Sequence, residues 1–236
     1  MGTMSRLTVQ DVFPDVGKPT YTYVAREEGV NERRLKNCLQ SPGKICVLTG
    51  PSKTGKTSLY KQVLPELKKI ELVIRCSGKM TSADFWASAL EALDFKRISE
   101  VSSSFGLSLS AKIGTQGEAG WSWLAKIVTN LGFDVTGKGD YALKKEVIRA
   151  SVGAKDLIPL LKEMPIQLVV EDFHYLADDV KKEVFQQWKV FTDEGVSVLI
   201  VSTTHHATDI AKANPDLSGR AQLLDIGQWS IADLKR

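Results

Sequence analysis

Ile45-Cys46-Val47-Leu48-Thr49-Gly50-Pro51-Ser52-Lys53-Thr54-Gly55-Lys56-Thr57-Ser58-Leu59 is the stretch on which the fold turns. The apolar run Ile45 to Leu48 predicts a buried strand, Gly50 to Thr57 spells G-x-x-x-x-G-K-T, and Ser58 onward predicts a helix. Strand, glycine loop and helix in that order describe a phosphate site. Gly50 and Gly55 let the backbone curl until successive N–H groups point inward at an anion. The helix that follows turns its positive end to the same place. Lys56 then reaches the β- and γ-phosphates and the Thr57 hydroxyl holds Mg²⁺, with Pro51, Ser52, Lys53, Thr54 and Ser58 completing the cradle.

The 236 residues allow one large domain with extensions, and 43% hydrophobic with 25% charged residues is ordinary for a chain with a real core. A formal net charge of +3 makes no strong case for nucleic acid. Cys38, Cys46 and Cys76 are an odd set without C-x-x-C spacing, expected as reduced core thiols in a cytosol. No apolar run approaches the roughly 18 residues of a membrane span. The N-terminus does not read as a signal peptide, so a cytoplasmic location without membrane partners is expected.

Residues 1–22, with Pro14, Gly17 and Pro19, predict an extended arm, and residues 23–236 one domain. Asn31 is expected to cap a helix running through Gln40, which Ser41-Pro42-Gly43 breaks. Ile70 to Cys76 predicts a second buried strand, and Thr81 to Asp84 opens a helix whose apolar face holds Phe85, Ala89, Leu90 and Leu93. Residues 99–140 differ: Phe105, Leu107, Leu109, Ala111 and Ile113 alternate with smaller or polar residues, predicting an inserted hairpin-like excursion. Helices are expected over 141–152, 155–164, 178–191 and 208–213, and further strands over 166–172, 196–201 and 221–226. Apolar strands alternating with amphipathic helices imply a parallel sheet covered on both faces, an α/β architecture.

The strand Ile166 to Asp172 ends in two acids, at the strand end where open α/β sheets bind ligands. Glu171 is expected near the Mg²⁺, and Asp172 near the γ-phosphate, where a carboxylate orients or deprotonates water. Thr203 and Thr204 close the next strand and read either as caps or as sensors of the γ-phosphate. Arg220 reads either as a solvated charge or as a finger reaching a neighbour's γ-phosphate. His205 and His206 lack a third ligand at metal spacing.

Together the phosphate loop, the V-V-E-D strand end, the strand ending T-T and the L-S-G-R segment before a fifth strand resemble the AAA+ superfamily of P-loop ATPases. The likeness is greatest to its STAND-type signalling branch. Tyr23-Val24-Ala25-Arg26-Glu27 is similar to the F-V-G-R-E segment that borders the adenine in those proteins, and Glu171-Asp172-Phe173-His174-Tyr175 to their D-D-F-H-Y Walker B form. The resemblance implies a three-layer P-loop NTPase fold with a five-stranded parallel sheet ordered 5-1-4-3-2, and ATP with Mg²⁺ as ligands. It implies an ATPase that hydrolyses slowly and switches assembly or signalling, with bacterial defence as its setting. Its partners would be ATP or ADP and either further copies or other domains of a longer protein. The resemblance implies a C-terminal lid domain after the fifth strand, and its lack here is expected of either an ATPase module of a longer protein or a minimal member; the acids run Glu then Asp where the family usually begins with Asp. Two other functions stay open: a DNA-associated AAA+ motor or loader, and a module that binds nucleotide without turnover. The basic residues that a DNA surface would need, among them Arg33, Arg34, Lys36, Lys68 and Lys69, are scattered.

Overall fold

In the computed structural model, residues 8–9, 23–93, 154–203 and 219–235 are described. Apolar side chains on both sides of a strand suit only a sheet covered on both faces. The apolar runs accordingly form β1 (Ile45–Thr49), β2 (Ile70–Arg75), β3 (Ile166–Glu171) and β4 (Val198–Val201), and β5 (Ala221–Asp225) completes the sheet. Every pairing is parallel, and the order is β2-β3-β4-β1-β5. This is the expected 5-1-4-3-2 arrangement. Ile45 lies opposite both Val198 and Ala221, while β3 pairs with β2 and β4 and not with β1.

Helices α1 (Val30–Gln40) and α2 (Lys56–Glu66) cover one face. Helices α3 (Ser82–Glu91), α4 (Ala154–Glu163) and α5 (Asp178–Asp193) cover the other, and a short α6 (Ile231–Leu234) follows β5. Alternate residues of β1 divide between the layers: Ile45 and Val47 pack toward α3, α4 and α5, Cys46 and Leu48 toward α1 and α2. Burying each large apolar side chain contributes roughly 1.5–3 kcal/mol, more than the roughly 1 kcal/mol of a typical hydrogen bond, so the core fixes where the loop after β1 stands. Because α2 leaves β1 and must return to β2 at the far edge, it passes over β4 and β3. That crossing brings its first turn over the acidic end of β3.

Several local expectations shift. Asn31 does not cap α1: the helix begins at Val30, its cap is Gly29 in the left-handed region (φ 80), and a 3-10 turn over Arg26–Gly29 leads into it. The glycine reverses the chain there without the side-chain hydrogen bond that an Asn cap would supply. Pro65 sits in the last turn of α2, which ends at Glu66. Cys38 and Cys46 are not reduced thiols but a disulfide, with Cα atoms 6.1 Å apart. The turn at 41–44 folds the end of α1 onto β1, bringing both fully buried cysteines within bonding range. Cys76 alone matches the expectation of a buried free thiol, and burial pushes its pKa up to about 12. The arm over 1–22 apart from residues 8–9, the 99–140 excursion, the helices at 141–152 and 208–213, and His205 and His206 lie outside the described residues.

Candidate nucleotide site

The loop between β1 and α2 curls through three left-handed residues or near neighbours of that region: Gly50 (φ 153), Lys53 (φ 62) and Gly55 (φ 93). A Cβ on Gly50 would stand 3.0 Å from both Ile226 Cγ1 and Thr54 Oγ1, so only glycine passes there without displacement. Thr54 Oγ1 donates to the Pro51 carbonyl at 2.8 Å and pins the loop across its own width. The Lys56 ammonium folds back over it, donating to the carbonyls of Gly50 at 2.8 Å and Pro51 at 2.6 Å. Burial lowers the Lys56 pKa, while Asp172 and Asp225 act in the opposite sense. Neutral carbonyls are weaker partners for an ammonium than phosphate oxygens, so this cradle suits a polyphosphate.

Beyond the loop, Glu171 ends β3 under the first turn of α2. Its Oε1 accepts from Thr57 Oγ1 at 3.2 Å and from Tyr60 OH at 3.0 Å. Its Oε2 accepts from Arg75 Nε at 3.2 Å, across the β2–β3 pair. Burial and the Glu171 carboxylate together raise the Tyr60 pKa, so the phenol remains the donor. Hydroxyl and carboxylate oxygens side by side next to a phosphate loop are the donor set a Mg²⁺ ion takes. Asp172 follows in a left-handed turn (φ 59), its N–H on the Val201 carbonyl at 3.2 Å. That turn is held by Phe173, fully buried against Phe185 and Trp188 with ring centroids 5.2 and 5.3 Å away. Asp172 itself is exposed at the carboxyl edge of the sheet. Two hydroxyls there, Thr49 Oγ1 at the end of β1 and Ser202 Oγ just after β4, are buried without a hydrogen-bond partner.

On the other side of the loop opens a cavity bordered by Tyr23, Val24, Asn31, Leu59 and Trp229 among others. Thr54, Gly55 and Ser58 carry the loop into it, and Arg26 and Glu32 line it as buried charged groups. The Arg26 guanidinium lies 4.7 Å from the centroid of the Trp229 ring, a cation–π contact. Apolar and aromatic walls with a few aimed polar groups are what a nucleobase site offers.

The structure therefore brings together Gly50, Pro51, Thr54, Gly55, Lys56, Thr57, Ser58, Glu171 and Asp172, and sets Tyr23 and Val24 at the cavity beside them. Ser52 and Lys53 form the exposed tip of the loop. Thr204 lies outside the described residues, though Thr203 before it is described. Arg220 does not join the others within one chain. It precedes β5, its carbonyl accepting from Ile45 N at 3.0 Å at the amino end of β1, and its guanidinium binds Asp193 at 2.7 Å and Thr192 Oγ1 at 2.8 Å. Tyr60, Arg75, Glu32 and Trp229 escaped the sequence reading. Tyr60 carried a signal, since three residues from Thr57 is the same helix face. Arg75 and Trp229 carried none, because only strand order and the return of the chain after β5 bring them in.

A profile of the AAA domain family matches residues 39–210. The chain belongs to that family, an AAA+ P-loop ATPase domain in class. No curated protein matches the chain significantly. Among solved structures it is similar to Drosophila ORC bound to AT-rich DNA and Cdc6, at 11% identity and a TM-score of 0.48, covering 89% of this chain and 30% of that one. It is also similar to Drosophila ORC bound to DNA, at 13% identity and a TM-score of 0.47, covering 89% and 31%. The chain thus spans about a third of the length of these relatives. At this level the likeness says nothing of function, and the fold assignment rests on the strand order. Among the described residues no helix is long and apolar enough to cross a membrane.

Proposed function

We propose that the domain binds ATP with Mg²⁺, hydrolyses it slowly, and uses the bound state as a switch for assembly or signalling in the manner of STAND-type ATPases. The observation that carries this reading is the contact of Thr57 Oγ1 with Glu171 Oε1 at 3.2 Å, one residue from Lys56 in the phosphate loop. Two sequence-distant motifs meet there as the chemistry requires. In this reading Lys56 and the loop N–H groups hold the phosphates, and Thr57 and Glu171 hold the metal. Mg²⁺, when bound, would neutralise charge on the β- and γ-phosphate oxygens. Asp172, exposed beside Lys56, orients or deprotonates the attacking water. Thr204 senses the γ-phosphate, and Arg220 acts on a neighbouring copy.

The finer assignment to the STAND branch draws on Tyr23 to Glu27, whose first residues border the cavity. A role in bacterial defence belongs to the same proposal, and so does a cytoplasmic setting, which rests on the availability of ATP alone, since the Cys38–Cys46 disulfide gives it no support. The DNA-motor reading is less well served. Lys36 is paired with Glu66, Lys181 with Asp178, and Arg33 donates to the Glu28 carbonyl, so these basic groups are spent locally.

The test is ATP binding and turnover in point variants. Lys56→Ala is expected to abolish tight ATP binding. Asp172→Asn should keep binding and lose most of the turnover, with and without added DNA alike. Normal turnover in Glu171→Gln, combined with failure of Asp172→Asn to bind ATP, would reverse the two acid roles. Binding without turnover in the wild type would leave a nucleotide-binding module only.

A further inference from the structure

We propose that Glu32 reads the base of the bound nucleotide, accepting a hydrogen bond from the exocyclic amino group of adenine, and that Tyr23 restricts it to one such bond. The proposal rests on the nucleotide reading above and adds a side-chain contact where only the Tyr23–Val24 border was expected.

Glu32 sits in the first turn of α1 with 8% of its surface exposed, on the wall of the cavity. Tyr23 OH donates to its Oε1. Burial and this contact both raise the Tyr23 pKa, so the phenol stays protonated and the bond stays in that direction. The second oxygen, Oε2, is buried and has no hydrogen-bond partner. A buried carboxylate oxygen left in that condition costs free energy until a donor reaches it. The nearby Arg26 balances charge but faces the Trp229 ring, and no ion pair joins it to Glu32.

The cavity supplies the rest of a base site. Leu59 and Trp229 offer apolar and aromatic surface for a flat ring, and Thr54, Gly55 and Ser58 join it to the phosphate loop. A nucleotide with its phosphates in that loop therefore places its base among Tyr23, Asn31 and Glu32. The free acceptor then selects. Adenine offers one exocyclic amino group beside a ring-nitrogen acceptor, and so needs one carboxylate oxygen. Guanine offers a ring N–H and an amino group side by side, a pair that needs both oxygens of a carboxylate. Tyr23 already occupies one of them.

Calorimetric titration of the full chain with Mg²⁺ and four triphosphates tests this: ATP, GTP, dATP, and purine-riboside triphosphate, which is ATP without the amino group. ATP is expected to bind at least about tenfold more tightly than the amino-less analogue and more tightly than GTP, with dATP equal to ATP. Glu32→Met should bind ATP and the analogue alike. Tyr23→Phe keeps Glu32 and frees Oε1, so it should narrow the gap between ATP and GTP. If Glu32→Met does not fold, the wild-type comparison and Tyr23→Phe decide the matter. Equal binding of ATP and the analogue by the wild type overturns the proposal. So does weakened dATP with an unaffected analogue, which would assign the oxygen to the ribose. An ATP-to-GTP ratio unchanged in Tyr23→Phe removes the part given to Tyr23. If no triphosphate binds, the nucleotide reading falls as well; if all bind equally, only the base reading does.

Discussion

Lys69 shows how one half-buried cation can be made tolerable. Its ammonium, at the amino edge of the sheet, donates to Gln167 Oε1 at 2.9 Å and to the Leu39 carbonyl at 3.3 Å. Gln167, itself 1% exposed, donates onward to the Ser197 carbonyl at 2.8 Å, and Ser197 Oγ to the Ser41 carbonyl at 2.8 Å. A polar seam thus ties α1, β2, β3 and β4 together at the end opposite the phosphate loop. Burial still lowers the Lys69 pKa from its ordinary 10.5. The unfolded chain then holds this proton over a range in which the folded chain has lost it. Its contribution to stability is therefore unfavourable at neutral pH and is relieved as pH rises toward 10.5. Urea midpoints of wild type and Lys69→Met measured across that range should show it: the difference between them changes with pH in alkali, wild type gaining relative to the variant. Parallel curves would show that the proton is not coupled to folding.

At the scale of the element, α3 is the helix whose start the chain specifies most completely. Thr81 Oγ1 accepts from Asp84 N at 3.1 Å, while Asp84 Oδ2 accepts from Thr81 N at 3.2 Å. The reciprocal pair satisfies two otherwise unpaired N–H groups. Beyond it Phe85, Trp86, Ala89 and Leu90 are buried, the two aromatic rings 4.9 Å apart edge to face. Packing holds the helix and the cap sets where it begins. Thr81→Ala should therefore lower stability by about 1 kcal/mol, read as a shift in the urea midpoint at unchanged slope. A loss within error would mean that packing alone defines the start.

For the whole molecule the open question is whether the site is complete in one copy. Arg220 stands at the amino end of β5, half exposed and tied to Asp193, so within a chain it works as a staple between β5 and the end of α5. A pair this exposed contributes less than about 1 kcal/mol, which leaves the side chain available to another partner at little cost. If it completes a neighbour's site, turnover rises more than linearly with protein concentration. Arg220→Ala then lowers turnover while ATP binding stays near normal. Constant turnover per molecule, with Arg220→Ala fully active, would reduce Arg220 to the staple.

The phosphate loop, the apolar strands and the capping box of α3 were legible in the sequence because each is local. Glycine conformational freedom, strand burial and caps are decided within a few residues. The strand order was legible only through resemblance, since no single strand states its neighbours. What the tertiary structure alone decided are the meetings of distant residues. Thr57 and Tyr60 reach Glu171 because α2 must cross β4 and β3 to return to β2, and Arg75 reaches it because β2 pairs with β3 in that register. Trp229 closes over Arg26 because the chain returns after β5 to the start of α1, where Asp233 also accepts from Glu27 N. Cys38 and Cys46 pair because a turn folds a helix end onto β1, and counting cysteines does not see that. Such contacts depend on the sum of core packing over the whole sheet, and no window of sequence contains it.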